Sequence, residues 1–270
     1  MVQGKATTSL LADMGIPFEI LPDYEEGIAD AIEAAQLHFQ QRNSPYCLLV
    51  RKRTFTPYKL KNTADNNYPL SREEALQLIL ANTSPWDAFI ATTGFTSREL
   101  YELRQKEREL LAAEDPNNPH SDECKDLLMV GSMGHASSIA LGIALNKPSR
   151  NIVCLDGDGA MLMHMGIVST IGAAKPRNLR HILLNNGAHD SVGQQPTTGF
   201  QSNLSEVAKA CGYVWCKSVH KSEDIKVALK EMTKRDGPTF LEIRVRPGAK
   251  KDLGRPKESP IHNKKAFMSF

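Results

Sequence analysis

No run of 18 or more apolar residues occurs in this chain, so no segment has the length and hydrophobicity of a membrane-spanning helix. The N-terminus lacks a charged stretch followed by an apolar one, the pattern of a secretory signal. Cysteine is sparse: five residues, at 47, 124, 154, 211 and 216, an odd number with no paired Cys or His spacing for zinc. Cys154 lies in an apolar run and reads as a small core residue, and Cys211 and Cys216 read as structural too. Net charge is close to nil, +2 over 270 residues, which gives no reason to expect a nucleic-acid or membrane partner; Arg51-Lys52-Arg53 and Lys250-Lys251 read as solvated faces. These absences leave a cytoplasmic chain as the default. With 41% hydrophobic residues it can build one large core or two modest ones.

Along the chain, apolar runs alternate with helical stretches. Residues 5 to 56 read as helix, short strand (Phe18 to Leu21), helix (Tyr24 to about Gln41) and strand (Tyr46 to Val50), the trailing part of an α/β unit. A linker rich in Asn and Pro follows, over 57–70. Ser71-Arg72-Glu73-Glu74 is a capping box that opens a helix to about Leu80 and starts a second domain, 71–250, with a tail over 251–270. Strands are expected near Ala88 to Thr92, Leu127 to Val130, Ile152 to Leu155, His181 to Leu184, Val214 to Val219 and Thr239 to Val245, with helices between. Such alternation implies an α/β fold, a mostly parallel sheet covered by helices on both faces. The charged residues 105–125, with Pro116 and Pro119, read as an exposed loop.

Two segments carry the chemistry. Asn151 to Leu155 reads as a buried strand, and Gly157-Asp158-Gly159-Ala160 after it as a tight turn where backbone amides can approach a ligand, feeding a helix from Ala160 to about Ala173. About 28 positions beyond Asp158, a second apolar strand ends in Asn185-Asn186-Gly187-Ala188-His189-Asp190. Ligands of open α/β sheets collect at the carboxyl ends of parallel strands. Mg²⁺ takes oxygen ligands and usually combines a few from protein with phosphate oxygens and water; Asp158, Asn186 and the Ala188 carbonyl offer the protein share. Either segment alone reads as no more than a turn or a loop. The pair in this order, each after a strand, reads as a site.

Gly-Asp-Gly followed by Asn-Asn resembles the thiamine diphosphate (ThDP) motif of the decarboxylases and their relatives. Ala91 to Leu100, Gly131 to Ser137, Asn185 to Gly193, and the end of the chain from Leu253 to Met268 are similar to the phosphonopyruvate decarboxylase family, with sulfopyruvate decarboxylase as the nearest relative. The resemblance implies a ThDP-binding fold, Asp158, Asn186 and Ala188 as metal ligands, and Gly157, Gly159 and Ala160 beside the diphosphate. It implies contacts to the diphosphate from Thr93 and Gly94, which local sequence also explains as an ordinary strand-to-helix turn. Met133, 25 positions before Asp158, matches the apolar residue that props the bent cofactor; otherwise it reads as core.

The activity implied is non-oxidative decarboxylation of 3-phosphonopyruvate to phosphonoacetaldehyde with ThDP and Mg²⁺. Sulfopyruvate or another 2-oxo acid is the alternative, as is a non-catalytic or regulatory chain. His135 and His189 flank the two loops and are candidates for proton handling, whereas His164 reads as structural. Arg98 is the candidate for the phosphonate, since a guanidinium fork matches its oxygens, or else a helix-surface partner of Glu99 or Glu102. The family tends to have Gly-Gly-Gln-Pro-Thr where this chain has Gly193-Gln194-Gln195-Pro196-Thr197, so Gln194 is expected to narrow the pocket or alter the loop. The first block, 1–56, resembles only the final part of the family's pyrimidine-binding domain. No residue before Gly157 matches the glutamate that contacts the aminopyrimidine, and Glu25 and Glu26 lie on a peripheral helix. The expectation is a truncated or partner-dependent chain, in a homo-oligomer or with a chain carrying a complete pyrimidine-binding domain.

Overall fold

The computed structural model describes residues 2–58, 66–115 and 125–270. Cys124, Pro116, Pro119 and the middle of the expected linker lie outside them. Contacts divide the chain into two compact units, residues 1–60 and 61–270. No helix among the described residues is long and apolar enough to cross a membrane.

The first unit runs α1 (Val2–Asp13), β1 (Phe18–Ile20), α2 (Glu25–Arg42) and β2 (Cys47–Leu49). β1 and β2 pair in parallel, Glu19 opposite Leu48. α2 buries a narrow stripe of Gly27, Ala31 and Ala35, four residues apart and therefore on one face. It stops where Asn43 turns left-handed, at φ 47, and returns its N–H to the Phe39 carbonyl.

The second unit holds α3 (Arg72–Leu80), β3 (Ala88–Ala91), α4 (Phe95–Glu114), β4 (Asp126–Leu128), α5 (Ala136–Asn146), β5 (Ile152–Gly157), α6 (Asp158–Met163), α7 (Gly166–Ala174) and β6 (Leu179–Asn185). It continues through β7 (Ala188–His189), β8 (Gln195–Pro196), α8 (Leu204–Ala210), β9 (Trp215–Val219), α9 (Ser222–Thr233), β10 (Thr239–Arg244) and α10 (Pro260–Ser269). Six strands form one parallel sheet in the order β4-β3-β5-β6-β10-β9, and β7 and β8 make a small antiparallel ribbon. The expected α/β architecture and all six expected strands are present. The capping box is formed, with the Ser71 side chain accepting from the Glu74 N–H and the Glu74 carboxylate accepting from the Ser71 N–H at 2.7 Å.

Period-two alternation sorts the side chains. Phe89, Leu155, Ile182 and Leu241 enter one core with Leu76 and Leu100 from α3 and α4 and Ile225 and Leu229 from α9. Ile90, Cys154, Leu183 and Phe240 enter the other with Ala140, Val168, Ile171, Leu204 and Ala208 from α5, α7 and α8. Burial on both faces explains the nearly continuous apolar strands. Each large side chain so buried contributes about 1.5–3 kcal/mol. β3 leads outward to β4, and the chain then returns to the other side of β3 as β5, so a switch point opens between β3 and β5 at their carboxyl ends.

Two local expectations are corrected. Residues 105–114 continue α4 instead of forming a loop: their charges lie on a solvated helical face, where Arg104 reaches Glu107 one turn on at 2.6 Å. The helix expected over 160–173 is two helices, broken at His164 and Met165. His164 leaves helical geometry at φ −134, and its ring packs 4.1 Å from that of His135. The weak helix former Gly166 follows directly.

Candidate functional site

A cleft crosses the carboxyl ends of β3, β5 and β6. Its lining comprises Thr92 and Thr93 after β3, Met133 after β4, Gly157 to Ala160 after β5, and Leu184, Asn186 and Ala188 to Ser191 along β6 and the turn beyond, with Arg72, Phe95 and Thr96. Of the residues nominated from sequence, Thr93, Met133, Gly157, Asp158, Gly159, Ala160, Asn186, Ala188 and His189 meet here.

Asp158 opens α6 directly from the end of β5 and is 2% exposed. Its Oδ2 accepts from the Thr197 hydroxyl and its Oδ1 from the Asn186 N–H at 3.4 Å, which brings together residues 28 apart. Burial nevertheless holds its carboxyl above the usual aspartate range, against those donors. The paired asparagines have different tasks. Asn185 is fully buried and ties the sheet to the loop, donating to the Gly199 carbonyl at 2.8 Å and to Glu242 at 2.7 Å. Asn186 faces the cleft, and its Oδ1 accepts from the Ala188 N–H at 3.1 Å in a turn that leaves that oxygen a further lone pair.

Two glycines permit this packing. A Cβ on Gly159 would lie 2.5 Å from the His189 ring and 3.2 Å from the Met133 methyl, so the three converge only without a side chain there. A Cβ on Gly199 would lie 2.7 Å from an Asp158 oxygen. Thr93 braces the β3 loop to the β4 loop by accepting from the Gly131 N–H at 3.1 Å. Gly94 begins the 20-residue α4 at φ 99, a conformation open to glycine, and the free N–H groups of that helix end border the cleft at Phe95 and Thr96.

The remaining nominees lie elsewhere. His135 is an exposed N-cap of α5 and is not among the cleft-lining residues. Gly94 and Arg98 line a neighbouring cavity of about 350 Å³, which shares Thr93 and Ser191 with the cleft and is also lined by Arg255 and Pro256. The guanidinium of Arg98, the candidate for the phosphonate, borders this cavity and donates through Nε to the Gly254 carbonyl at 2.6 Å and through Nη2 to that of Leu253, fastening the tail onto α4. Gln194 adopts φ 63, so the loop keeps a glycine-like backbone with a side chain on it. Glu25 and Glu26 stand exposed at the start of α2.

Two further cleft-lining residues were not nominated from sequence: Arg72 and Asp190, which meet through contacts between distant segments. Beneath it, Asp156 Oδ1 accepts from the Gly157 N–H at 3.0 Å, while its Oδ2 lies 3.4 Å from His181 Nε2, whose other nitrogen is 3.1 Å from the Tyr213 hydroxyl.

The donor set suits a divalent cation carrying a diphosphate. Asp158 is an anionic group held in a desolvated site, Asn186 and Ala188 add neutral oxygens, and α4 presents N–H groups. Among the described residues, the buried Thr92 Oγ1 and Asp190 Oδ1 on the same wall have no hydrogen-bond partner.

Known proteins share this frame. Residues 109–243 match the family model of the thiamine pyrophosphate enzyme C-terminal TPP-binding domain. Phosphonopyruvate decarboxylases of Streptomyces hygroscopicus and Streptomyces viridochromogenes are each 32% identical over the whole chain, which spans 66% and 67% of their length. A sulfopyruvate decarboxylase subunit beta of Methanocaldococcus jannaschii is 37% identical over 61% of this chain and 79% of its own. The solved ThDP-dependent 4-hydroxybenzoylformate decarboxylase of Rhodococcus jostii shares the fold, with a TM-score of 0.50 and 18% identity over 73% of this chain and 37% of that one. The chain thus belongs to the thiamine pyrophosphate enzymes, with the phosphonopyruvate and sulfopyruvate decarboxylases among its relatives.

Proposed function

We propose that this chain carries the diphosphate-binding half of a ThDP- and Mg²⁺-dependent 2-oxo acid decarboxylase whose substrate is 3-phosphonopyruvate. The observation that carries the reading is the meeting of Asp158 and Asn186 at the tips of neighbouring strands, beside the amino end of α4. In this reading Asp158, Asn186 and the Ala188 carbonyl hold the cation. Gly157, Gly159, Ala160, Thr93 and the α4 N–H groups receive the diphosphate, and Met133 supports the cofactor's bend. When bound, ThDP supplies the electron sink for loss of CO₂ from a 2-oxo acid. The chain's own residues position it and exclude water, and His189, against Gly159, is the histidine within reach of protons there.

The cavity beside the cleft is the space proposed for the 2-oxo acid, with Arg255 rather than Arg98 offering a guanidinium to its anionic end. Residues 71–250 then form the diphosphate-binding domain and 1–56 belong to a pyrimidine-binding domain. The acid that contacts the aminopyrimidine is proposed to lie outside residues 1–270, on the same polypeptide or on a partner. The relative from Methanocaldococcus jannaschii is named as a beta subunit, which favours a partner and keeps sulfopyruvate as the second reading.

Calorimetric titration of the chain with ThDP and Mg²⁺ tests the site. Metal-dependent binding is expected, and its abolition by Asp158→Ala; unchanged affinity in that variant would refute the assignment. Turnover of phosphonopyruvate against sulfopyruvate, after addition of pyrimidine-domain protein, decides the substrate.

A further inference from the structure

Asp190 follows β7 directly and lines the cleft with a side chain only 3% exposed. One of its oxygens gathers three donors from three separated segments. Oδ2 accepts from Asn186 Nδ2 at 2.7 Å, from Arg72 Nη1 at 3.0 Å and from the Gly248 N–H at 2.9 Å. Arg72 is fixed in turn, with Nε and Nη2 donating to the two oxygens of Glu99 at 2.8 and 3.0 Å and Nη2 also to the Gly248 carbonyl at 3.3 Å. Phe95 packs against the same guanidinium, 5.4 Å from its carbon to the ring centre.

We propose that Asp190, held by Arg72 and Glu99, is a positioning residue for the divalent-cation site, which sets the Asn186 amide so that its oxygen and not its nitrogen faces the cation. The inference rests on the metal-binding reading of Asp158 and Asn186. A carboxamide is nearly symmetric in shape, and its two ends differ in the sign of their charge. Turned the wrong way, Asn186 would point N–H groups at a cation. Both ends are specified here: Oδ1 takes the Ala188 N–H, which leaves it one lone pair, and Nδ2 is drawn to a carboxylate.

The chemistry of the pairing also explains why an arginine is buried beside a cation site. A lone carboxylate four residues from Asn186 would itself attract the metal. Arg72, shared with Glu99, lowers its negative charge and occupies the oxygen that contacts Asn186, so that oxygen orients the ligand without replacing it. Outer partners of this kind commonly tune metal affinity by about 10- to 100-fold.

The test titrates Mn²⁺, followed by its paramagnetic resonance spectrum, into the whole chain in the presence of ThDP, for the unaltered protein, Asp190→Ala and Asp190→Asn. Asp190→Ala is expected to weaken Mn²⁺ binding by about 10- to 100-fold and to change the bound-ion spectrum. Asp190→Asn still offers an oxygen to Asn186 and is expected to recover most of the loss. Should Asp190→Ala fail to fold, Asp190→Ser, which leaves Arg72 its pair with Glu99, must show the same loss. Unchanged Mn²⁺ affinity in the folded Asp190→Ala or Asp190→Ser protein overturns the proposal. So does an equal loss in Asp190→Asn that tracks a drop in metal-free melting temperature, since that marks a merely structural role. Failure of the unaltered chain to bind Mn²⁺ and ThDP would instead strike the functional reading itself.

Discussion

The two units of this chain share one grammar, strand, helix, parallel strand, yet bury their apolar residues very differently. In the larger unit six strands are covered on both faces, and Phe89, Leu155, Ile182, Phe240 and Leu241 are fully buried. In the smaller one, two three-residue strands and a stripe of glycine and alanine make up most of the interior, while Leu10, Met14, Ile20, Tyr24, Leu37 and Phe39 stay exposed. Parallel strands gain stability by burial on both faces, and two strands cannot provide it. The lesson is that an α/β pattern in sequence predicts local structure well before there is enough of it to form a core.

Cutting the units apart gives the largest expected effect. A polypeptide of residues 61–270 should melt cooperatively, and one of residues 1–60 should show no cooperative transition. In the whole chain, amide exchange should release α1, β1 and β2 well before β3, β5, β6 and β10. Equal protection in both units, or a cooperative melt of 1–60, would erase the contrast.

The larger unit itself spends stability at one edge, and Asp158 measures how much. Its folded pKa is raised by burial, so the native state holds that proton more tightly than the unfolded chain does. Stability of the metal-free protein must then fall as pH rises from the ordinary aspartate value through the raised one, and the penalty persists at neutral pH. Asp158→Asn is expected to stabilise the metal-free chain at neutral pH and to lose that advantage below the ordinary aspartate range, while metal-dependent ThDP binding disappears. Urea denaturation at the two pH values checks this. A destabilised variant at neutral pH would contradict it.

A smaller effect is expected at Gln194, whose φ of 63 puts a side chain into a left-handed backbone. Gln194→Gly should raise stability by about 1 kcal/mol, from relief of the Cβ clash with its neighbouring carbonyl. A lower melting temperature in Gln194→Gly would mean that side-chain contacts outweigh the strain.

Much of the fold was legible because burial on both faces leaves continuous apolar runs, so β3, β5, β6 and β10 were expected within a residue or two of their ends. Residues 105–114 were misread because a charged helix face and a charged loop share a composition. Only the spacing of pairs such as Arg104 and Glu107 distinguishes them. Among the cleft-lining residues, Asp158, Asn186 and Ala188 were readable because each follows a strand within a few positions. The tail contacts of Arg98 were not: Leu253 and Gly254 lie more than 150 residues away, and no local signal reveals that they bind its Nε and Nη2.

By itself the sequence determined which six strands make the parallel sheet and which oxygen-bearing side chains stand at their tips, because these follow from hydrophobic period and turn chemistry over a few neighbouring residues. Tertiary structure alone decided what surrounds those tips. It joined Arg72 and Gly248 to Asp190, the carboxylate that holds the Asn186 amide, set Glu99 against Arg72, and tied Arg98 to the tail. Such pairings depend on where separated segments meet in space, and a linear pattern carries no record of that distance.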